Sequence, residues 1–228
     1  MPSAQHIEVN ERAPGSVGVE LHSLLREIHA SVISDLNSVH GRGKVLFAEG
    51  EPARGVYILR TGRAAVSIAS SEGRIITLRM ARAGDVLGLN SVLRSSTYDT
   101  TVRTLEPCRT DFVPRAQLFE LIGTSEAGSQ VVLKILSHEL TELTERTRSL
   151  LLPQTATGRL AKLLLEWNKH SMRIDRVFTH EEIAQMICSS RETVSRLLAS
   201  MSRRKIIEIT SDSILIRDGA ALERMALK

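Results

Sequence analysis

Ser189 to Lys205 reads SSRETVSRLLASMSRRK, and its two helical faces decide the fold of the last third of the chain. Val194, Leu197, Leu198 and Met201 recur at i, i+3, i+4 and i+7, which is one apolar stripe of an amphipathic helix. Arg191, Glu192, Ser195 and Arg196 share a different face in the first turn and a half. A helix pushed end-on into the major groove presents base-reading side chains from that part of its length. Just upstream, Thr179 to Ile187 predicts a shorter helix, with Thr179 and Glu182 in capping-box spacing and Ile183, Ala184 and Ile187 on its apolar side. Little more than Cys188 and Ser189 separates the two, the pattern of a helix-turn-helix. Downstream, Ile206 to Ile209 and Ile214 to Arg217 predict two short strands joined by Thr210 to Ser213, a wing. Asp218 then caps a terminal helix carrying Leu222, Met225 and Leu227.

Charge separates this segment from the rest. From Thr157 onward there are 13 Lys and Arg against 9 Asp and Glu, leaving 17 of each before it, so the whole net charge of +4 lies in the C-terminal third. A basic module joined to a neutral one suits a polyanion-binding domain attached to something else. A net charge this small also fits any ordinary surface, so charge alone decides nothing. With 228 residues, 42% of them hydrophobic, the chain can build one large or two modest cores. No apolar run nears membrane-spanning length, and MPSAQHIEVNERAPGSVG lacks the basic-then-apolar order of a signal peptide. A cytoplasmic protein with no membrane partner is expected. Cys108 and Cys188 offer no disulfide framework and too few thiolates for a four-cysteine iron-sulfur or zinc site, so no metal is expected.

In chain order, residues 1 to 19 predict a mobile arm. Glu20 to Val39 places Leu21, Leu24, Leu25, Ile28, Val32 and Leu36 at helical spacing and predicts an amphipathic helix. From Gly41 the period changes. Lys44 to Ala48, Val56 to Arg60, Ala64 to Ala69, Arg74 to Met80, Thr100 to Leu105 and Cys108 to Val113 are short β-rich runs punctuated by glycines, which argues for a sandwich or roll. Ser125 to Leu152 predicts a long helix in which Leu133, Leu136, Leu140, Leu143, Thr147 and Leu150 alternate spacings of three and four. That is an a/d seam suited to pairing with a second copy, although the same leucines would also serve to cover the roll. Pro153 ends this helix, and Gln154 to Thr157 predicts a hinge.

The order GKVLFAEGEPARGVYILRTGRAAVSI, a strand, then AGDVLGL resembles the cyclic-nucleotide-binding β-roll, with Gly50, Gly62, Gly84 and Gly88 at matching intervals. Followed by ATGRLAKLLLEW and SSRETVSRLLASM, it resembles the CRP/FNR family of bacterial transcription regulators over residues 21–228. The resemblance implies an α+β protein. Its parts are a 20–122 double-stranded β-helix, or jelly-roll-like sensor domain, a 123–153 dimerisation helix and a 154–228 winged helix-turn-helix. It also implies a homodimer through the long helix, double-stranded DNA and RNA polymerase as partners, and no enzymatic activity. Ser190, Arg191, Glu192, Thr193, Ser195, Arg196, Arg203 and Arg204 become the DNA-contacting candidates, with Glu192 favoured as a base reader over a mere cap. The arginine-glutamate-arginine set resembles readers of TGTGA half-sites, and glutamate followed by Ser195 and Arg196 resembles readers of TTGAT. An inverted repeat sharing a TGA core is therefore expected.

For the sensor the resemblance carries a departure. Cyclic-nucleotide-binding members supply a glutamate for the ribose and an Arg-Ser or Arg-Thr step for the phosphate. Here Gly88 is kept, but Leu89 stands in the place of the glutamate, and Tyr98 and Asp99 in the places of the arginine and its hydroxyl partner. Thr144 keeps the position of a base-contacting threonine, with Glu145 in place of the usual serine. Arg94, or Arg103 with Thr104, would have to come in by a loop rearrangement. The implied pocket of Gly88, Leu89, Tyr98, Asp99 and Thr144 is thus expected to have an effector other than cyclic AMP, or none. A regulatory subunit that binds a nucleotide and never touches DNA is the rival reading, but it leaves the RETVSR face unused. Cys188 or a histidine acting as an enzyme's nucleophile or base is a weaker one, because no Cys, His and carboxylate are brought together by any motif. Cys188 stands where this family often has glycine, and an inert turn residue is favoured there over a redox switch.

Overall fold

The computed structural model describes residues 20, 21, 23, 35–152, 155–168, 173–175, 178–210 and 213–227. The arm, Pro153 and Gln154 of the hinge, and residues 211 and 212 of the wing turn lie outside them. The N-terminal unit is an α+β roll of eight short strands: β1 (Asp35–His40), β2 (Val45–Phe47), β3 (Gly55–Thr61), β4 (Ala64–Ala69), β5 (Ile75–Ala81), β6 (Val86–Leu87), β7 (Thr101–Thr104) and β8 (Cys108–Pro114). They form two antiparallel four-stranded sheets, in the orders β1-β8-β3-β6 and β2-β7-β4-β5. Val56, Ile58, Leu87 and Val113 from one sheet share a core with Phe47, Ala64, Val66 and Val102 from the other. At the β3–β4 turn Gly62 has φ +88°, and a Cβ there would lie 2.6 Å from both Cys108 Sγ and the Pro107 carbonyl. No other residue fits that corner.

Packed with the roll are α1 (Leu89–Leu93), α2 (Arg115–Thr124) and α3 (Glu126–Leu151). Ser125 caps α3 by accepting the Gly128 N–H at 3.0 Å. The buried side of α3 is Val131, Val132 and Ile135, which join the roll core, with Leu136 partly buried against it. Its other side leaves Leu133 and Leu140 each 65% exposed and Leu143 50% exposed.

The predicted helix over Glu20 to Val39 is corrected at its end, while residues 22 and 24–34 of it lie outside the described residues. Glu20, Leu21 and Ser23 are helical, but Asp35 to Val39 belong to β1, which pairs with β8 through Ser38↔Thr110 and His40↔Cys108. Asn37, at φ +64°, donates its N–H to Asp111 Oδ1 at 2.6 Å, so cross-strand pairing overrides the helical spacing at the end of that stretch.

The C-terminal unit contains α4 (Ala156–Asn168), β9 (Arg173–Asp175), α5 (His180–Met186), α6 (Arg191–Arg203), β10 (Ile207–Ile209), β11 (Ser213–Ile216) and α7 (Gly219–Ala226). Leu160, Leu164, Ile183, Val194, Leu198 and Leu222 form its core, which Ala65 and Leu105 of the roll join. The wing has three strands, in the order β10-β11-β9, because Arg173 to Asp175 pairs with β11, a partner absent from the two-strand expectation. Asp218 caps α7 as expected, its Oδ1 accepting the Ala221 N–H at 2.8 Å. Among the described residues no helix is long and apolar enough to cross a membrane.

Candidate nucleic-acid interface and sensor cavity

The helix-turn-helix is assembled from capping and packing. Thr179 and Glu182 close the predicted capping box on α5: the Glu182 N–H donates to Thr179 Oγ1 at 3.1 Å, and the Thr179 N–H to Glu182 Oε2 at 2.6 Å. The turn passes through Cys188 in the left-handed region, φ +50°, and returns the Ser189 N–H to the Ala184 carbonyl at 3.0 Å. Ser190, not Ser189, is the N-cap of α6, accepting the Thr193 N–H at 3.2 Å. The cap thus falls one residue later than the spacing of Ser189 and Glu192 suggests. Thr193 is drawn into it, its Oγ1 lying 3.0 Å from Ser190 Oγ.

Val194, Leu198 and Met201 are buried and fix the roll of α6 about its axis. Arg191, Glu192 and Arg196 are exposed on the opposite edge. The Glu192 carboxyl is held below the usual range, first by its own backbone N–H and then by the Ser190 hydroxyl, so it is an anion at neutral pH. Ser195 shares that edge but is half-buried, and its hydroxyl already lies 2.7 Å from His180 Nδ1 on α5. His180 is absent from the sequence reading, because nothing in the spacing of residues 15 apart announces the contact. Arg203 and Arg204 are exposed at the far end of α6, about 20 Å from Arg191 at 1.5 Å per residue.

Arginines from three elements hold α5, two of them from the N-terminal unit and one, Arg159, from within the C-terminal unit. Arg146 of α3 donates from Nη2 to the Thr77 carbonyl of β5 at 3.3 Å and to the Met186 carbonyl at the end of α5. Arg159 of α4 donates from Nε to the Ile187 carbonyl at 2.8 Å. Both satisfy carbonyls that the end of α5 leaves without intrahelical donors. Arg42 of the roll pairs with Glu182 at 3.2 Å. Arg146 lies in the wall of a junction cavity of about 350 Å³ with Thr77, Glu166 and Met186. Burial lowers its pKa, and its buried Nε has no hydrogen-bond partner among the described residues.

A second cavity, of about 370 Å³, lies between the roll and α3. Of the expected pocket residues, Gly88, Leu89 and Asp99 line it. Gly88, at φ +82°, cannot carry a side chain, because a Cβ would lie 2.7 Å from the Tyr98 ring. Tyr98 and Thr144 are corrected. Tyr98 is 4% exposed, stacks on Phe47 at 3.9 Å between centroids and donates its hydroxyl to the Gly55 carbonyl at 2.6 Å, so it is core. Burial raises its pKa to about 12, and the hydroxyl stays protonated. Thr144 is exposed and donates to the Leu140 carbonyl at 2.9 Å, outside the wall. Neither Arg94 nor Arg103 reaches the wall, and Arg103 donates instead to the Gly43 carbonyl at 3.0 Å. Among the described lining residues the cation is Arg79, which no sequence motif announces. It is held by Asp85 at 2.9 Å, Glu139 at 3.2 Å and Glu142 at 3.7 Å.

Comparison with known proteins agrees with both units. The cyclic nucleotide-binding domain family matches residues 39–125, and the Crp-like helix-turn-helix domain family matches residues 158–225. The chain is 29% identical over 192 residues to a CRP-like cAMP-activated global transcriptional regulator of Mycobacterium tuberculosis, covering 81% of this chain and 85% of that one. It is 26% identical over 213 residues to a global nitrogen regulator of a Nostoc species, covering 90% and 95% respectively. In fold it is similar to FixK2 from Bradyrhizobium japonicum, with a TM-score of 0.72 at 22% identity over 83% of this chain and 96% of that one. It is likewise similar to a CRP-family transcriptional regulator from Thermus thermophilus, with a TM-score of 0.71 at 24% identity over 84% and 97%. A roll, a long helix and a winged helix-turn-helix in this order, matched by both domain families, mean that the chain belongs to the CRP/FNR family of transcription regulators.

Proposed function

We propose that the chain is a homodimeric, sequence-specific DNA-binding regulator of the cytoplasm that reads an inverted repeat with a TGA-containing half-site and works with RNA polymerase. The observation that carries this is the exposed edge of Arg191, Glu192 and Arg196 on a helix whose opposite face is buried. Glu192 as an anion is an acceptor for a cytosine amino group, and an arginine forks onto the O6 and N7 of guanine. Arg203 and Arg204 contact phosphate at the far end of α6. Two such helices must sit one helical turn apart, about 34 Å, which demands a second copy. The exposed Leu133, Leu140 and Leu143, continued by half-buried Leu136 and Leu150 with Thr147 between, supply the pairing surface. Selection of bound sequences from random DNA by the purified full chain tests the reading. A palindrome with TGA in each arm is expected, and recovery of no motif overturns it.

The Mycobacterium tuberculosis relative is named as cAMP-activated. Response to cyclic AMP in that manner is not proposed for this chain. Leu89 occupies the wall where a ribose-binding carboxylate would be needed, and Asp99 brings a negative charge. Losing a guanidinium–phosphate pair and adding a carboxylate turns attraction into repulsion. Isothermal titration of the full-length protein with cyclic AMP and cyclic GMP is expected to show no low-micromolar binding. Such binding, accompanied by tighter DNA binding, would overturn this part.

A further inference from the structure

Charge and shape of the cavity between the roll and α3 define the chemistry it accepts. Its volume, about 370 Å³, is at the lower end of the range of small-molecule sites. The walls are mostly aliphatic, with Leu78, Leu87, Leu89 and Val102 from the roll facing Leu140 and Leu143 of α3. Arg79 is the cation among the described lining residues, and three carboxylates, Asp85, Glu139 and Glu142, already surround it within 3.7 Å. Asp99 adds a fourth at the mouth, each oxygen accepting one hydrogen bond at 2.8 Å, from Asn90 Nδ2 and Ser91 Oγ. One cation among four carboxylates leaves the site net negative. An anionic ligand would give up its hydration, find no cation in need of a partner and meet repulsion. An uncharged apolar ligand incurs none of these penalties and gains from every wall it touches.

We propose that this cavity binds an uncharged, largely apolar small molecule oriented by Asn90 and Thr100 at its polar edge, in place of an anionic nucleotide. The proposal rests on reading the roll as a sensor, and it names the ligand class of that site. It also gives the ligand a lever. Leu140 and Leu143 belong both to the cavity wall and to the exposed stripe that pairs two copies. A molecule filling the cavity therefore touches side chains of the dimer seam. It shifts the arrangement of the two DNA-binding modules by its differential affinity for their alternative settings.

A matched pair of fluorescent probes tests it without DNA. Phenylnaphthylamine is uncharged and apolar, and anilinonaphthalene sulfonate is the same skeleton carrying an anionic group. With the full-length protein, the neutral probe is expected to bind saturably with blue-shifted emission, and the sulfonate at least fivefold more weakly. Asp99→Asn is expected to narrow that gap by strengthening the sulfonate. Leu78→Trp, at a half-buried wall position, is expected to abolish binding of the neutral probe by filling the space. Thr100→Trp at the polar edge of the cavity provides the same test should Leu78→Trp fail to fold, as judged by its thermal transition. Absence of saturable binding by the neutral probe, equal or tighter binding of the sulfonate, or binding that survives both wall substitutions would each overturn the proposal. Because the probes report on the cavity alone, these outcomes are separate from the fate of the DNA-reading assignment, which the random-DNA selection decides.

Discussion

At the residue scale, side chains on α6 and in its turn differ in how far they depend on their surroundings. Arg196 is exposed on the reading edge, so Arg196→Ala should cost about 1–3 kcal/mol of discrimination at a guanine. Arg204 sits at the far end, and Arg204→Ala should weaken all sequences alike and flatten the salt dependence of binding. Titrations of both variants against the selected site and a scrambled one separate the roles; equal losses on both DNAs for Arg196→Ala would remove α6 as the reader. Cys188 makes a different point. Its φ of +50° strains an L-residue, and the sequence anticipated this from its place where the family often has glycine. Cys188→Gly removes the strain but loosens the unfolded chain, for a net gain of at most about 1 kcal/mol, whereas β-branched Cys188→Val should lose more than that. Urea unfolding checks the order Gly, Cys, Val. An equal stability of all three would mean that the turn relaxes to another conformation.

At the element scale, α3 carries the clearest division of labour, with Val131, Val132 and Ile135 holding the roll and the Leu133, Leu140 and Leu143 stripe left open. Replacing Leu136 and Leu140 together with glutamate puts unpaired charge into the seam, a cost of several kcal/mol if two copies pair there. Sedimentation should then show monomer at concentrations where the parent is dimeric, and an unchanged dimer would remove the seam. Elements with a strong local signal were legible in the sequence. α5 and α6 have caps and an unbroken 3.6-residue period, and β2, β3, β4 and β5 of the roll sit between glycine turns. Elements that exist only through their partners were not. β1 is held by β8 and by Asp111, and β9 is three residues paired to β11. α2 is not legible although Leu118 and Leu121 stand at helical spacing, because Pro114 reads as the end of a strand rather than as the N-cap it is. In the sensor site the departures at Leu89 and Asp99 were legible, but Tyr98 was not. Its ring turns into the core to stack on Phe47, which spacing from Gly88 does not reveal.

At the scale of the whole molecule, the question is what holds the reading helix in one position relative to the roll. The Arg42–Glu182 pair is a poor candidate, because its side chains are 49% and 23% exposed and a pair so placed contributes at most about 1 kcal/mol. Arg146 is a better one. Its guanidinium joins the Thr77 carbonyl in the roll to the Met186 carbonyl that ends α5, from a helix that belongs to neither unit's sheet. Truncation leaves those two carbonyls in a part-buried junction without their donor, a loss of about 1–3 kcal/mol. Arg146→Ala should therefore uncouple the two units. A scanning calorimeter should show the C-terminal module melting in a separate, earlier transition, and DNA affinity should fall by the same factor for every sequence while the selected motif stays unchanged. Arg146→Lys should restore less than half of the loss, because a single ammonium cannot reproduce the planar fork that spans two carbonyls. A variant that keeps one cooperative transition and full DNA affinity would show that the packing of α5 against β5 positions the reading helix without this arginine.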